Sequence, residues 1–494
     1  MNKPMLRACM VGLLLVLWQG AAAQDGAELY NTRCAACHEQ ALANADRPPP
    51  QRDALAAMSA DSIYRAVMEG AMRLQGAGLS NGQMRSVAEY LTGKPVSDVG
   101  LVIAENICPA NPPLRNPALS PQWNGWGSDH RNARAALDAG ITADNIGRLR
   151  LSWVYGLPGE DQPRAQPAVA DGRLFVGNKA GALYAVDAKT GCTYWTFQPS
   201  SGIRSAISVG PVNLPDGSDG YGVFFIDLRG RAWAVNAQNG EALWSTVIET
   251  HPGVRGTGSV TLHEGYLYVP TSGVLEETGS TGADYGCCTF RGSVSKVDAN
   301  TGAVLWKTYM LDEPQPRGLS ATGVQLYGPA GVGIWSAPTI DPDRGLLYVG
   351  TGNAYGEPAP VTSDAIVALR MADGEIAWAN QLTPGDAFIS GCSAPGNPNC
   401  PEAVGPDYDF SASPILTATA SGRELLVVPQ KSGMAYALDP NKQGELVWQY
   451  RVGEGSASGG FWGMSVADGI VYVVVSGYSN QGSGGIHGID LETG

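Results

Sequence analysis

The phrase YAVDAKTGCTYW at 184–195 returns as WAVNAQNGEALW at 233–244, SKVDANTGAVLW at 295–306, VALRMADGEIAW at 367–378 and YALDPNKQGELVW at 436–448, and begins again as HGIDLETG at 487–494. Each copy reads as a strand, a turn built on Asp or Asn with Gly, and a second strand running to a Trp. Trp195, Trp244, Trp306, Trp378 and Trp448 recur after 49, 62, 72 and 70 residues, and most copies follow an apolar strand such as RLFVG, YLYVP, LLYVG or IVYVVV. Repeats of this length with several strands each point to four-stranded sheets set radially, so the fold class is mainly β, a β-propeller. The tryptophans read as wedges between neighbouring blades. The sixth unit stops at Gly494, just short of its Trp, so the expectation is an incomplete ring with one or more further blades.

The composition agrees. With 494 residues, 65 Gly, 33 Pro, 12 Trp and 16% charged residues, the chain is too long for one ordinary domain and too charge-poor for disorder or coiled coil. A net charge of −14 argues against nucleic acid, and five His argue against a multi-histidine metal centre. Lys3 and Arg7, the apolar run Ala8 to Trp18 and QGAAA ending at Ala23 read as a secretory signal over 1–23, too short to span a bilayer. Export to the periplasm and no membrane span are therefore expected. Of nine Cys, eight remain after cleavage, sorting by spacing into Cys34/Cys37, Cys287/Cys288, Cys392/Cys400 and the distant Cys108 and Cys192. Bridges suit an exported chain; SAPGNPN between Cys392 and Cys400 suits a local one.

The string CAACH, Cys34 to His38, is the most specific motif. Two cysteines at this spacing bind a haem through thioethers, and the adjoining His38 supplies an axial nitrogen. Helices are expected over 61–70 and 80–91, with Met72 between them as second axial ligand, while Met68 and Met84 read as packing. Residues 24–95 resemble a small all-α class I cytochrome c domain. A Pro-rich stretch in 96–122 reads as a stiff, structurally empty linker, and the propeller occupies 123–494.

The turn-and-Trp phrase resembles the repeats of pyrroloquinoline quinone (PQQ) dehydrogenases, whose eight-bladed propellers hold PQQ and Ca²⁺ on the axis. The order cytochrome then propeller, with CCTFRGS at 287–293, is most similar to the polyvinyl alcohol dehydrogenases. Residue by residue, the resemblance implies that Asn353 in LLYVGTGN offers oxygen to Ca²⁺ and that Trp335 floors the quinone. In PDYDFSASP it makes Asp409 the catalytic base and a calcium neighbour, with Asp407 as the rival carboxylate. Ser411 stands where lanthanide-using relatives carry Asp, which favours Ca²⁺. Lys431 in QKSGMAYALD matches a contact to the quinone oxygens, and TSGVLEE carries a calcium glutamate, either Glu276 or Glu277, with Glu276 preferred. Arg204, Thr257 and Trp462 match further PQQ contacts. Cys287 and Cys288 suggest a vicinal disulfide, but in a later blade than the ring that stacks on PQQ in other quinoprotein alcohol dehydrogenases, so a rigid turn is the other reading.

These implications add up to a periplasmic quinohaemoprotein dehydrogenase using haem c, PQQ and Ca²⁺. It would oxidise secondary alcohol groups, those of polyvinyl alcohol first, and pass electrons through the haem to an external acceptor such as a soluble cytochrome c. The alternatives are a PQQ dehydrogenase for small alcohols or sugars, and a non-catalytic propeller scaffold with an electron-transfer haem.

Overall fold

The computed structural model describes residues 26–39, 49–68, 72, 75–76, 79, 81–96, 106–115, 123–136, 139–158, 160, 163–278, 285–393, 397–455, 463–476 and 484–494. The predicted signal and Trp462 lie outside them. The chain divides into two compact units at residues 97/98.

The first unit is helical: α1 (Gly26–Arg33), α2 (Ala35–His38), α3 (Arg52–Ala56), α4 (Ala60–Met68) and α5 (Asn81–Thr92). The apolar residues of the two expected helices fall one turn apart, Ile63 and Val67 on α4 and Met84, Val87, Ala88 and Leu91 on α5, so each buries one stripe in a shared core with Leu29 and Tyr30. Gly26 lets α1 lie close on α5, where a Cβ would sit 2.0 Å from the Ser86 carbonyl oxygen.

The second unit is a succession of antiparallel meanders. Five sheets have the order first-second-third-fourth strand, spanning 168–197, 208–247, 261–309, 339–381 and 415–451, and a sixth has three strands over 464–490. The first strand of each sheet touches the first strand of the next, from Ala168–Ala170 through Ser208–Asn213, Thr261–His263, Thr339–Asp341 and Ile415–Ala418 to Met464–Ala467. First strands meeting around one centre, with later strands stepping outwards, is the propeller arrangement.

The repeated phrase explains how blades adhere. Trp195, Trp244, Trp306 and Trp448 each donate an indole N–H to a main-chain carbonyl in the next unit's turn, those of Ala237, Ala299, Met371 and Leu491, at 2.8–3.2 Å. Each indole also covers that turn's glycine. At Gly240, Gly302, Gly374 and Gly494 φ lies between 74° and 79°, save 73° at Gly302, and a Cβ would come within 2.6–2.8 Å of the ring. Only glycine meets both demands. Trp153, outside any sheet, makes the same contact with blade one, donating to Ala188 O at 3.2 Å over Gly191.

Residues 123–136 run past the inner strands. Trp123 exchanges bonds with Val169, the Asn124 side chain donates to Val209, and the amides of Ile340, Leu416 and Val466 donate to the carbonyls of His130, Arg131 and Ala133. One segment thus ties blades one, two, four, five and six. The stretch expected to be an empty spacer is also engaged where it is described. Cys108 is bridged to Cys192, Thr193 pairs with Asn106 and Cys108, and Asn111 and Pro112 accept from Arg173. Further disulfides join Cys287 to Cys288 and Cys392 to Cys400. Between blades three and four stands a hairpin, Gln315–Leu319 with Gln325–Gly328, that belongs to no blade.

Candidate active site and haem centre

In the first unit, Cys34 caps α2 and His38 ends it, so one helical turn sets the spacing of the motif. Both thiols are unbridged, Cys37 exposed and Cys34 partly buried. His38 is buried and its Nδ1 lies 2.7 Å from the Pro50 carbonyl oxygen. That carbonyl selects the Nδ1–H tautomer and leaves the Nε2 lone pair for a metal. Met72 packs on the same core as Cys34, whereas Met68 and Met84 are buried within the helices. Two available thiols, an oriented imidazole and a thioether suit a covalently held haem.

In the propeller, the expected site residues share one positional rule. Arg204, Thr257, Trp335 and Asp409 precede the first strands of blades two to five, and Glu276/Glu277, Asn353 and Lys431 follow the second strands of blades three to five. In an antiparallel pair, the start of one strand lies beside the end of its neighbour. All therefore emerge at one end of the ring.

There the geometry is tight. Asp409 is buried; its Oδ1 accepts from the Asn353 amide at 2.9 Å and its Oδ2 from Lys431 Nζ at 2.5 Å, while Lys431 also donates to Asp407 Oδ1 at 2.8 Å. Carboxylate oxygens of Glu277, Asp407 and Asp409 lie within 4.8 Å of one another. Burial, followed by the negative charge of Asp409, pushes Glu277 well above the usual carboxylate range and Asp407 up to about 7. Lys431 loses from burial but is raised on balance by Asp409 and Asp407, so it stays an ammonium. Carboxylate oxygens gathered this closely are a donor set suited to a hard divalent cation, whose charge would oppose the upward shifts of Glu277 and Asp407. Asn353 spends its amide hydrogens on the carbonyls of Ala354 (2.6 Å) and Phe388 (2.9 Å), which leaves Oδ1 as the atom it can offer.

The glutamates separate. Glu276 accepts from the amides of Thr289 and Phe290 and from Tyr285 Oη, and lies with Cys287 and Cys288; Glu277 lies with Asp407 and Asp409. The preference for Glu276 thus meets a carboxylate already saturated by hydrogen bonds. Arg204 is partly buried; burial, then Arg164, lowers its guanidinium to about 10, and Glu277 opposes them. Thr257 Oγ1 lies 2.5 Å from Ser272 Oγ. Trp335 has a buried Nε1 without a hydrogen-bond partner, the kind of atom a bound cofactor would satisfy.

Four residues escaped the sequence reading. Gly352 is needed because a Cβ there would lie 2.4 Å from Asp409 Oδ1 and 2.6 Å from Trp335 Nε1. Asp386 accepts from the amides of Tyr408 (2.8 Å) and Asp407 (3.4 Å), holding the loop that carries Asp409. Tyr355 donates to the Gly273 carbonyl at 2.8 Å and lies 3.4 Å from Glu277 Oε2. Asp364 is fully buried, with both carboxyl oxygens lacking a hydrogen-bond partner. Gly352 and Asp386 sit in TGN and PGD contexts that a close-approach or capping argument could have picked out; Tyr355 and Asp364 give no such local signal.

Residues 123–454 match the family model for the glucose/ethanol/alcohol dehydrogenase β-propeller domain, and residues 21–91 match that for cytochrome c oxidase, cbb3-type, subunit III. A polyvinylalcohol dehydrogenase of a Pseudomonas species is 42% identical over 94% of this chain and 74% of its own length. The chain belongs to the polyvinyl alcohol dehydrogenase family. A second member, from Sphingopyxis sp. strain 113P3, is 36% identical over 95% of this chain and 74% of its own length. Among solved structures, the quinohemoprotein alcohol dehydrogenase ADHIIG of Pseudomonas putida HK5 superposes with a TM-score of 0.54 at 22% identity, over 72% of this chain and 57% of that one, a likeness of fold. As a member of this family, the protein is a PQQ-dependent alcohol dehydrogenase with a haem c module. No helix among the described residues is long and apolar enough to cross a membrane.

Proposed function

We propose that the protein oxidises the secondary alcohol groups of polyvinyl alcohol to ketones and delivers the electrons through haem c to an external acceptor such as a soluble cytochrome c. The order is a signal peptide at 1–23 that exports the chain to the periplasm, a cytochrome over 24–95, a linker over 96–122 and the propeller over 123–494. Haem is attached at Cys34 and Cys37 and ligated by His38 and Met72. Glu277, Asn353 and Asp409 would hold calcium, with Glu277 in place of Glu276 because its oxygens are the ones gathered with Asp409. Trp335, Lys431, Arg204 and Thr257 would hold PQQ, which would supply the hydride acceptor, and Ca²⁺ would supply Lewis acidity.

The chain's own residues handle the proton. Asp409 takes the hydroxyl proton of the alcohol on a carboxylate oxygen, as a general base. Lys431 holds that carboxylate from one side through its ammonium, and the Asn353 amide fixes its rotation from the other. The observation that carries this reading is the doubly anchored, buried Asp409 beside Trp335 across Gly352.

Asp409→Asn should keep the haem spectrum and bind PQQ, yet lose alcohol-driven haem reduction by about 10²–10⁴-fold. Turnover close to that of the parent would reject Asp409 as the base.

A further inference from the structure

The side chains assigned to calcium come from separate places in the chain: Glu277 after the second strand of blade three, Asn353 after that of blade four, and Asp409 before the first strand of blade five. The connection from blade four to blade five reaches all of them. It runs from Gln381 to Ile415, far longer than the connections at 197–208 and 247–261, and residues 386–390 near its start belong to no strand of any blade.

The contacts alternate along this short stretch. Asp386 accepts from the amides of Tyr408 at 2.8 Å and Asp407 at 3.4 Å, next to Asp409. The Phe388 carbonyl accepts from Asn353 Nδ2 at 2.9 Å, and Ala354 fixes the pairing, its amide donating to Asp386 O at 3.2 Å and its carbonyl accepting from the Phe388 amide at 2.9 Å. Ser390 donates twice to the Glu277 carbonyl, from its amide at 2.7 Å and its hydroxyl at 3.0 Å. The residues in between turn the other way, as an extended chain requires. Ala387 and Ile389 are buried, Ile389 in a cluster with Cys287, Phe290 and Tyr355. Residues 386, 388 and 390 thus each secure one donor-bearing segment, while 387 and 389 anchor the stretch itself.

We propose that residues 386–390 are a clasp that places the calcium donors in advance, and that Ser390 is a positioning residue for the Glu277 segment. The proposal rests on the calcium reading given above. Ordering donors at the moment of binding costs free energy, so a site with its donors already placed binds more tightly. Calcium accepts flexible oxygen geometry, so releasing one segment weakens the site without abolishing it.

The test uses the full chain, stripped of metal with a chelator and titrated with Ca²⁺ alone, following the heat of binding and the thermal midpoint. Ser390 is exposed and opens a short 3₁₀ turn, Ser390–Ser393, a position that tolerates proline. Ser390→Pro removes both donors and should raise the Ca²⁺ Kd about tenfold; Ser390→Ala, which keeps the amide, should raise it about threefold, within what one or two net hydrogen bonds supply. Ser390→Thr keeps both donors and should bind as the parent does. The rise in thermal midpoint produced by Ca²⁺ should shrink in the same order. A Ser390→Pro variant with the parent's Kd, or one whose midpoint falls equally with and without Ca²⁺, would overturn the clasp and leave the calcium reading in place. A parent that binds no Ca²⁺ would remove the calcium reading, and the clasp with it.

Discussion

Asp364 is the residue whose chemistry is least compensated. It sits at φ 47°, its amide donates to the Gly352 carbonyl at 3.1 Å, and its carboxyl has no hydrogen-bond partner. Burial first, then Asp386, Asp409 and Asp407, with Lys431 opposing, push its pKa well above the ordinary 3.8. The folded protein therefore retains a proton that the unfolded chain releases above pH ~4, and stability falls as pH rises towards the folded pKa. Asp364→Asn tolerates the left-handed backbone and carries no such proton. Its thermal midpoint should exceed the parent's by more at pH 8 than at pH 5; a pH-independent difference would show that Asp364 does not titrate with folding. The residue scale is also where sequence is least informative. CAACH is legible because Cys34, Cys37 and His38 fall within five residues, and Asn353, Asp409 and Lys431 because each sits in a recognisable phrase. The choice between Glu276 and Glu277 depends on which side chain finds amides to accept from, a fact about Thr289 and Phe290 that neighbouring letters do not encode.

At the scale of elements, the blade turn is the unit that the sequence specifies well. Asp187, Asp298 and Asp490 each accept from the amides two and three residues on, the glycine then turns the chain, and the pairing of third and fourth strands shifts register at the corresponding point in the first five blades. Gly302→Ala would combine a left-handed φ of 73° with a Cβ 2.7 Å from Trp244 and should destabilise by about 2–4 kcal/mol. Gly345→Ala, at φ 64° with nothing within 4 Å, should cost only about 1–2 kcal/mol. Chemical denaturation of both variants measures the difference; equal losses would mean the indole gives way. The hairpin after blade three carries no such phrase, so its edge position became visible only in three dimensions.

At the scale of the molecule, the disulfides differ in what they close. Cys108–Cys192 spans a separation of 84 and Cys392–Cys400 one of 8. On loop entropy alone, replacing the longer bridge by alanines should cost about 2 kcal/mol more than replacing the shorter. Denaturation of the two double variants tests this, and the opposite ranking would place the stabilisation in local contacts instead. The segment at 123–136 has a different consequence. An open array of repeats loses or gains an internal member freely, because each member meets only its neighbours. Here a strap made early in synthesis waits with carbonyls reserved for amides of Ile340, Leu416 and Val466 that emerge much later. Evolution by blade excision would strand one of those reserved acceptors, so the number of blades is locked by a thread laid down before most of them exist.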